Sequence, residues 1–311
     1  MKSYQDFLNE SLTKFVTVVE DRPYYLWQQE IQCHHFNENY PSIDLEVVVL
    51  HEDNEPSEWA RHIAKTNSVH FYKVDDHVKE EASNYKSFYH AYGYYLYTNE
   101  SGCRNFCGID SDVILNKRPN LSKLNESNSW HFSDCSGYLS YNYLKEHLSD
   151  KQINDICNIA GIDLSTIKET NKVGGAQMFF KDFEPEMFKK IAYDGKKIHD
   201  YLAPLVESGN KIQKFTSEMW SFAWNSLQHR DVIVDEDMSF CWASDPITKM
   251  NEKTFTHFAG APREGSFQKT KYGGKNPIYE DMSHVTVKNN CAYHWVELMQ
   301  KYKHLCYKKE N

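Results

Sequence analysis

The chain has 311 residues, 40% hydrophobic and 25% charged, with a formal net charge of −9. That is globular composition, long enough for one large core. The acidic balance disfavours a large nonspecific nucleic-acid footprint, which needs clustered Lys and Arg, and no run approaches the roughly 18 apolar residues of a membrane span.

In chain order, residues 1–12 place Tyr4, Phe7, Leu8 and Leu12 on one face at helical spacing. No apolar signal-peptide core is present there, so a cytoplasmic location is expected. Phe15 to Val19 is an apolar, β-branched strand. The polar stretch Glu20-Asp21-Arg22-Pro23-Tyr24-Tyr25 follows, then a helix through about Phe36. Leu45 to Leu50 is a second strand, and Ser57 is a plausible N-cap for the next helix. Val69 to Val74 is a third strand, ending in Asp75-Asp76, and a Tyr-rich helix is expected from about Glu80 to Tyr97. In the run Asn105 to Leu115 the entering apolar stretch reads as a buried strand that ends at Asp110-Ser111-Asp112, and a second apolar stretch leaves.

Alternation of strands and helices predicts an α/β fold with a mostly parallel central sheet flanked by helices. Ligands of such sheets bind at the C-terminal strand ends. Asp21, Asp75, Asp110 and Asp112 all follow strand ends, which places them on one edge.

The second half is less regular. Trp130 to Ser133 is a short strand, and Ser149 with Gln152 forms a capping box for a helix to about Ile159. Gly174-Gly175 reads as a turn before the strand to Phe180. Pro185 to Tyr193 and Gly195 to Glu207 read as two helices. Ser217 is a possible cap for another, with Glu218 in its first turn. Asp231 to Val234 and Thr254 to Phe258 are late strands. Arg263, Lys269 and Lys271 among Gly265, Gly273 and Gly274 suit a mobile, diphosphate-clamping lid. Asn290 to Tyr302 is a C-terminal helix, and Lys301, Lys303, Lys308 and Lys309 form a basic cluster. These boundaries give an N-terminal segment (1–12), one domain (13–288) and a C-terminal helix with a basic tail (289–311).

Asp110 and Asp112, at i and i+2 of an extended chain, would point to one side and could share a hard cation that also holds substrate phosphates. A solvated turn would use the same residue types. Other metal schemes are weaker. His34 and His35 are adjacent and project to different sides of a helix, and Cys103 and Cys107 lack a partner pair at zinc spacing. Cys33, Cys103, Cys107, Cys135, Cys157, Cys241, Cys291 and Cys306 show no repeated spacing and read as free thiols.

Phe106-Cys107-Gly108-Ile109-Asp110-Ser111-Asp112-Val113-Ile114-Leu115 resembles the Asp-x-Asp motif of GT-A glycosyltransferases. His257-Phe258-Ala259-Gly260-Ala261-Pro262-Arg263 resembles the His-x-x-Gly-x-x-Lys signature of their glycogenin-like and bacterial galactosyltransferase-like members, with Arg in place of Lys. The resemblance implies a UDP-sugar donor and Mn²⁺ or Mg²⁺ held by Asp110, Asp112 and His257. It implies that Gly260, Arg263 and Lys269 serve the diphosphate, and Glu20, Asp21 and Tyr24 the base and ribose. Ala82 to Phe88 resembles the helix that precedes the metal motif, with Lys86 at its Arg position. Gly174 to Phe180, including Gln177, resembles the strand lining the sugar and acceptor pocket. Glu218 resembles the carboxylate nearest the reacting carbon, either supporting an oxocarbenium-like centre or receiving the acceptor proton. Gln177 and Glu218 are thus the candidate catalytic pair.

Residues 1–12 resemble the N-terminal peptide of several T-even-like phage proteins, with Leu8-Asn9-Glu10 at the cleavage pattern; an ordinary docking helix fits equally. That likeness implies host cytoplasm, possible packaging into the virion, and 5-hydroxymethylcytosine in DNA as acceptor, a base that must be flipped out of the duplex. A protein or saccharide acceptor, or a packaged protein that kept the fold without catalysis, are the alternatives.

Overall fold

The computed structural model describes residues 13–170, 172–260 and 263–308. The segment 1–12 and Lys309 lie outside them. The strands are β1 (Lys14–Glu20), β2 (Leu45–His51), β3 (Ser68–Lys73), β4 (Asn105–Gly108), β5 (Val113–Leu115), β6 (Trp130–Asp134), β7 (Gly174–Lys181), β8 (Val232–Val234), β9 (Phe240–Trp242) and β10 (Phe255–His257). The chain divides into two compact units, one of 13–73, 109–120 and 239–308, the other of 74–108 and 121–238. No described helix is long and apolar enough to cross a membrane.

In the first unit β1, β2 and β3 are parallel, with Val18 opposite Val48 and Val49 opposite Phe71. β2 is buried along its whole length, and β1 along all but its first residue. That suits parallel strands covered on both faces. The helix Pro23–Asn39 follows β1, opening with Pro at its first turn. Ser57 caps the helix Glu58–Ile63 as its sequence predicts, accepting from the Ala60 N–H. A small sheet pairs β10 antiparallel with β5 and parallel with β9.

In the second unit β7 pairs antiparallel with β4 and β6, and β8 pairs parallel with β6. The strands are therefore mixed, their parallel pairs joined by antiparallel ones from the irregular half. Phe106, Phe180, Phe183, Phe188 and Phe222 form a ring cluster with neighbouring centroids 5.0–6.2 Å apart. Much of the aromatic content is thus core.

Several local expectations change. The helix expected over 80–97 is two, Asp76–Glu81 and Phe88–Ser101, broken at Ser83-Asn84, residues whose side chains compete with helical bonding. The helices expected on either side of Asp194 are one, Glu186–Glu207. Gly195 is inside it because a Cβ there would lie 3.1 Å from the Glu218 Cα; it sets a close helix approach. Gly174 and Gly175 lie within β7 rather than before it, where a Cβ on Gly174 would meet Phe132 at 2.4 Å. Register shifts there between Phe132 and Ser133, and Ala176 takes φ 56°, the marks of a bulge. Ser217 begins its helix without capping it; its hydroxyl donates to the Lys214 carbonyl.

Candidate functional site

The site is a turn. After β4 the chain leaves extended geometry at Ile109, and the Val113 N–H donates to the Asp110 carbonyl at 3.1 Å. Asp110 and Asp112 therefore converge across a turn, not by the alternation of a strand. Two bonds anchor the turn from behind: Gln32 Nε2 donates to the carbonyls of Asp110 (2.8 Å) and Val113 (2.6 Å). His35 continues the support with a ring nitrogen 2.8 Å from the Leu115 carbonyl. Burial pushes that imidazole down to about 4, so it holds this place uncharged.

Sheet register brings the third group. His257 sits opposite Val113 across the β5–β10 pair, and the Phe258 N–H donates to the Asp112 carbonyl at 2.8 Å. His257 Nε2 lies 3.3 Å from Asp110 Oδ2 and 3.3 Å from Asp112 Oδ1. Trp242 stacks on the His257 ring at 5.8 Å and 21°. The ligand atoms of Asp110, Asp112 and His257 lie within 4.8 Å of one another, a group able to hold a metal ion. Two carboxylates and one imidazole make an oxygen-rich donor set of the kind that suits a divalent cation.

Lys269 completes the cluster, its ammonium on Asp112 Oδ2 and its charge acting on the nearby Tyr24 hydroxyl. Burial alone would raise the Asp112 carboxyl, but the charges of Lys269 and His257 hold it well below the usual range. Burial would lower His257 and Lys269; the facing carboxylate Asp112 outweighs it and raises both. Tyr24 is raised, mainly by burial.

The loop carrying Lys269 is pinned rather than open. Phe267 is fully buried, stacked on Phe258 at 5.3 Å and 9°, and Trp27 meets it edge-on at 6.0 Å. Gly260 takes φ +96°, which glycine adopts without strain. Arg263 is exposed, and Lys269 is the cation at the carboxylates. Glu20 is buried and faces Arg22 at 3.5 Å. Asp21 accepts from the Ser57 N–H and hydroxyl at 2.6 and 2.5 Å, which ties the loop after β1 to the next helix.

Lys86, Gln177 and Glu218 belong to the other unit. Lys86 lies over the Tyr89 ring at 4.8 Å. Gln177 is buried in β7, its N–H donating to Ser133 Oγ at 3.1 Å. Glu218 is buried; it accepts from the Ala91 N–H at 3.0 Å and lies 3.1 Å from His90 Nδ1. Asp75 caps a helix through the Val78 N–H.

Gln32 and Trp242 escaped the sequence reading. Gln28, Gln29, Glu30 and Gln32 are all buried in the helix Pro23–Asn39, but nothing in residue type marks which of them reaches the site.

Against known proteins, no family profile and no curated sequence matches the chain. Solved structures do. The chain is similar to an active-site mutant of LgtC, with TM-score 0.50 and 11% identity over 94% of this chain and 100% of that one. The fold is GT-A. The chain is also similar to the galactosyltransferase LgtC in complex with donor and acceptor sugar analogs, at 0.47 and 11%, covering 94% and 100% of the two chains. A third likeness is to the apo structure of the bifunctional glycosyltransferase WbbM, at 0.48 and 11% over 95% of this chain, which spans only 51% of WbbM's length. At such identities the likeness establishes the fold and no more. On that GT-A fold the chain carries a candidate metal cluster of Asp110, Asp112 and His257.

Proposed function

We propose that this GT-A chain is a metal-dependent glycosyltransferase that takes a UDP-sugar and delivers the sugar to a hydroxyl of a saccharide or protein. The observation that carries the reading is the convergence of Asp110, Asp112 and His257 from distant parts of the sequence, with Lys269 on the same carboxylate. Asp110, Asp112 and His257 would hold Mn²⁺ or Mg²⁺. Such an ion supplies Lewis-acid stabilisation to a departing diphosphate. Lys269 is poised to exchange its bond to Asp112 for one to a phosphate oxygen, adding positive charge where negative charge develops. Tyr24, beside Lys269, would help orient that ammonium. Gly260 leaves the backbone open to close approach, and Arg263 is the exposed cation nearest in sequence.

Glu20 and Asp21 would shape the loop for the base and ribose, Asp21 through its grip on Ser57. Lys86 is assigned to the phosphates. Gln177 and Glu218 are assigned to the sugar and acceptor side, Glu218 as a group that also fixes the first turn of the helix Phe88–Ser101.

Charge favours a saccharide or protein acceptor over DNA. The net charge is −9. In the C-terminal basic cluster Lys301 is paired with Glu38 at 2.6 Å, while Lys303 and Lys308 lie over the Tyr279 ring at 5.4 and 5.7 Å.

The test is Mn²⁺-dependent hydrolysis of UDP-sugars by wild type and Asp112→Asn, followed by transfer to glycans, proteins and hydroxymethylated DNA with a labelled donor. Loss of turnover in a folded Asp112→Asn protein is expected. Wild-type turnover in that variant would reject the site, and label in hydroxymethylated DNA alone would restore DNA as acceptor.

A further inference from the structure

A second group of ligating side chains lies in the same unit, built from residues that the first site does not use. Glu30 and His34 stand one turn apart on the helix Pro23–Asn39, so they share a face. Cys306 comes from the segment after the C-terminal helix Cys291–Tyr302. The ligand atoms of Glu30, His34 and Cys306 lie within 4.8 Å of one another. A fourth donor stands beside them: His62, in the last turn of the helix Glu58–Ile63, places Nε2 3.5 Å from Glu30 Oε1 and 3.3 Å from the Leu305 carbonyl, a contact it would give up to ligate.

The surroundings hold this group in place. Glu30 is 2% exposed, which is deep for a carboxylate not joined to a cation, and Cys306 is buried beside it. Trp59 Nε1 donates to Glu30 Oε2 at 2.9 Å, and the Tyr307 N–H donates to Oε1 at 2.7 Å. The Tyr307 ring stacks on Trp59 at 5.6 Å and 27°. The Tyr279 hydroxyl lies 2.7 Å from the Cys306 carbonyl and 3.0 Å from that of Lys303, its one hydrogen donated to either. A carboxylate has about four lone-pair directions, so two accepted bonds leave room for a ligand bond. The bland reading is a hydrogen-bonded buried acid beside an inert thiol. It explains Glu30, but not two imidazoles and a thiol gathered around the same carboxylate.

We propose that Glu30, His34, His62 and Cys306 form a structural zinc site that fastens the segment after the C-terminal helix to the helix Pro23–Asn39. One thiolate, two imidazoles and one carboxylate is a four-coordinate set suited to Zn²⁺. The sulfur disfavours Mg²⁺ and Ca²⁺. On binding, the Cys306 S–H bond breaks, sulfur bonds to the metal and the proton leaves to solvent, so uptake releases acid. The proposal stands apart from the glycosyltransferase reading, because the Asp110–Asp112–His257 cluster contains no sulfur.

The full-length chain, stripped with chelator and dialysed against Zn²⁺, should retain zinc with Glu30, His34, His62 and Cys306 intact. Loading with Co²⁺ instead should give a sulfur-to-cobalt charge-transfer band. Cys306→Ala should abolish that band, and His34→Gln should weaken Zn²⁺ retention at least tenfold, while Asp112→Asn leaves the band unchanged. Should Cys306→Ala fail to fold, the wild type still decides the matter: Zn²⁺ should slow alkylation of Cys306, read by peptide mass spectrometry. Absence of the band in wild type, its persistence in Cys306→Ala, or alkylation of Cys306 unaffected by Zn²⁺ would each overturn the proposal.

Discussion

Replacing Lys269 with methionine keeps most of the side-chain volume and removes one charge from the candidate site. In the metal-free protein, Asp112 would then face Asp110 with His257 as the nearby cation, both contacts to His257 at 3.3 Å. Removing one partner of a buried pair costs about 3–5 kcal/mol, since the other charge stays buried and uncompensated. The side chains of Asp112 and Lys269 are 7% and 18% exposed. Water reaches the ammonium more than the carboxylate, and His257 shares the compensation, so we expect the lower end, about 3 kcal/mol. Urea unfolding of metal-free protein, followed by tryptophan fluorescence, measures it. The decisive form is a double-mutant cycle with Asp112→Asn. Once Asp112 is neutral, Lys269→Met should cost much less, giving a coupling of about 2 kcal/mol. Additivity of the two substitutions within about 0.5 kcal/mol would refute the buried, charged contact.

Three further outcomes are expected. His257→Ala should lose Mn²⁺ binding measured by calorimetry, without unfolding; unchanged affinity would remove His257 from the ligand set. Gly195→Ala gains helix propensity, but its Cβ would sit 3.1 Å from the Glu218 Cα, so a net loss of about 1–2 kcal/mol in urea unfolding is expected, and a more stable variant would disprove the close packing. For Glu46, burial is overcome by bonds from His70, Lys14 and Ser68, which bring its carboxyl from 4.5 to about 2. A depressed carboxyl stabilises the fold above its unfolded pKa, and this stability is lost as pH falls through the folded value. Allowing for the partly exposed partners, Glu46→Gln should be about 1–2 kcal/mol less stable than wild type at pH 6. The gap should close between about pH 5 and 2; a pH-independent gap would contradict the assignment.

The sequence was most legible where one residue's chemistry decides a local geometry. Ser57 and the Ser149–Gln152 box cap their helices as read, since capping depends on neighbours within one turn. Asp110, Asp112 and His257 were found by motif, although the reason for their convergence is a turn and a sheet register. Helix breaks fared worse. The sequence reads a gap at Asp194 with a new helix from Gly195, yet Gly195 lies inside one helix and serves contact with another, and Ser83-Asn84 breaks a helix that the tyrosines around it would continue. β9 went unread: Phe240–Trp242 is three residues long and gains its place only by pairing with β10. Gln32 was silent for a related reason, because its partners, the carbonyls of Asp110 and Val113, belong to the backbone and leave no trace in residue type.

The pairing of His257 with Val113 also bears on how the protein is made. Asp110 and Asp112 are synthesised long before His257, and β5 and β10 meet only after the intervening chain has emerged. Contacts of such sequence separation form slowly, because a large loop must close first. On a nascent or partly refolded chain, Asp110 and Asp112 alone would be a weak, open pair of carboxylates. Ion uptake at the proposed site would therefore mark the end of folding rather than its start, and a stopped-flow metal indicator would time the docking of β10.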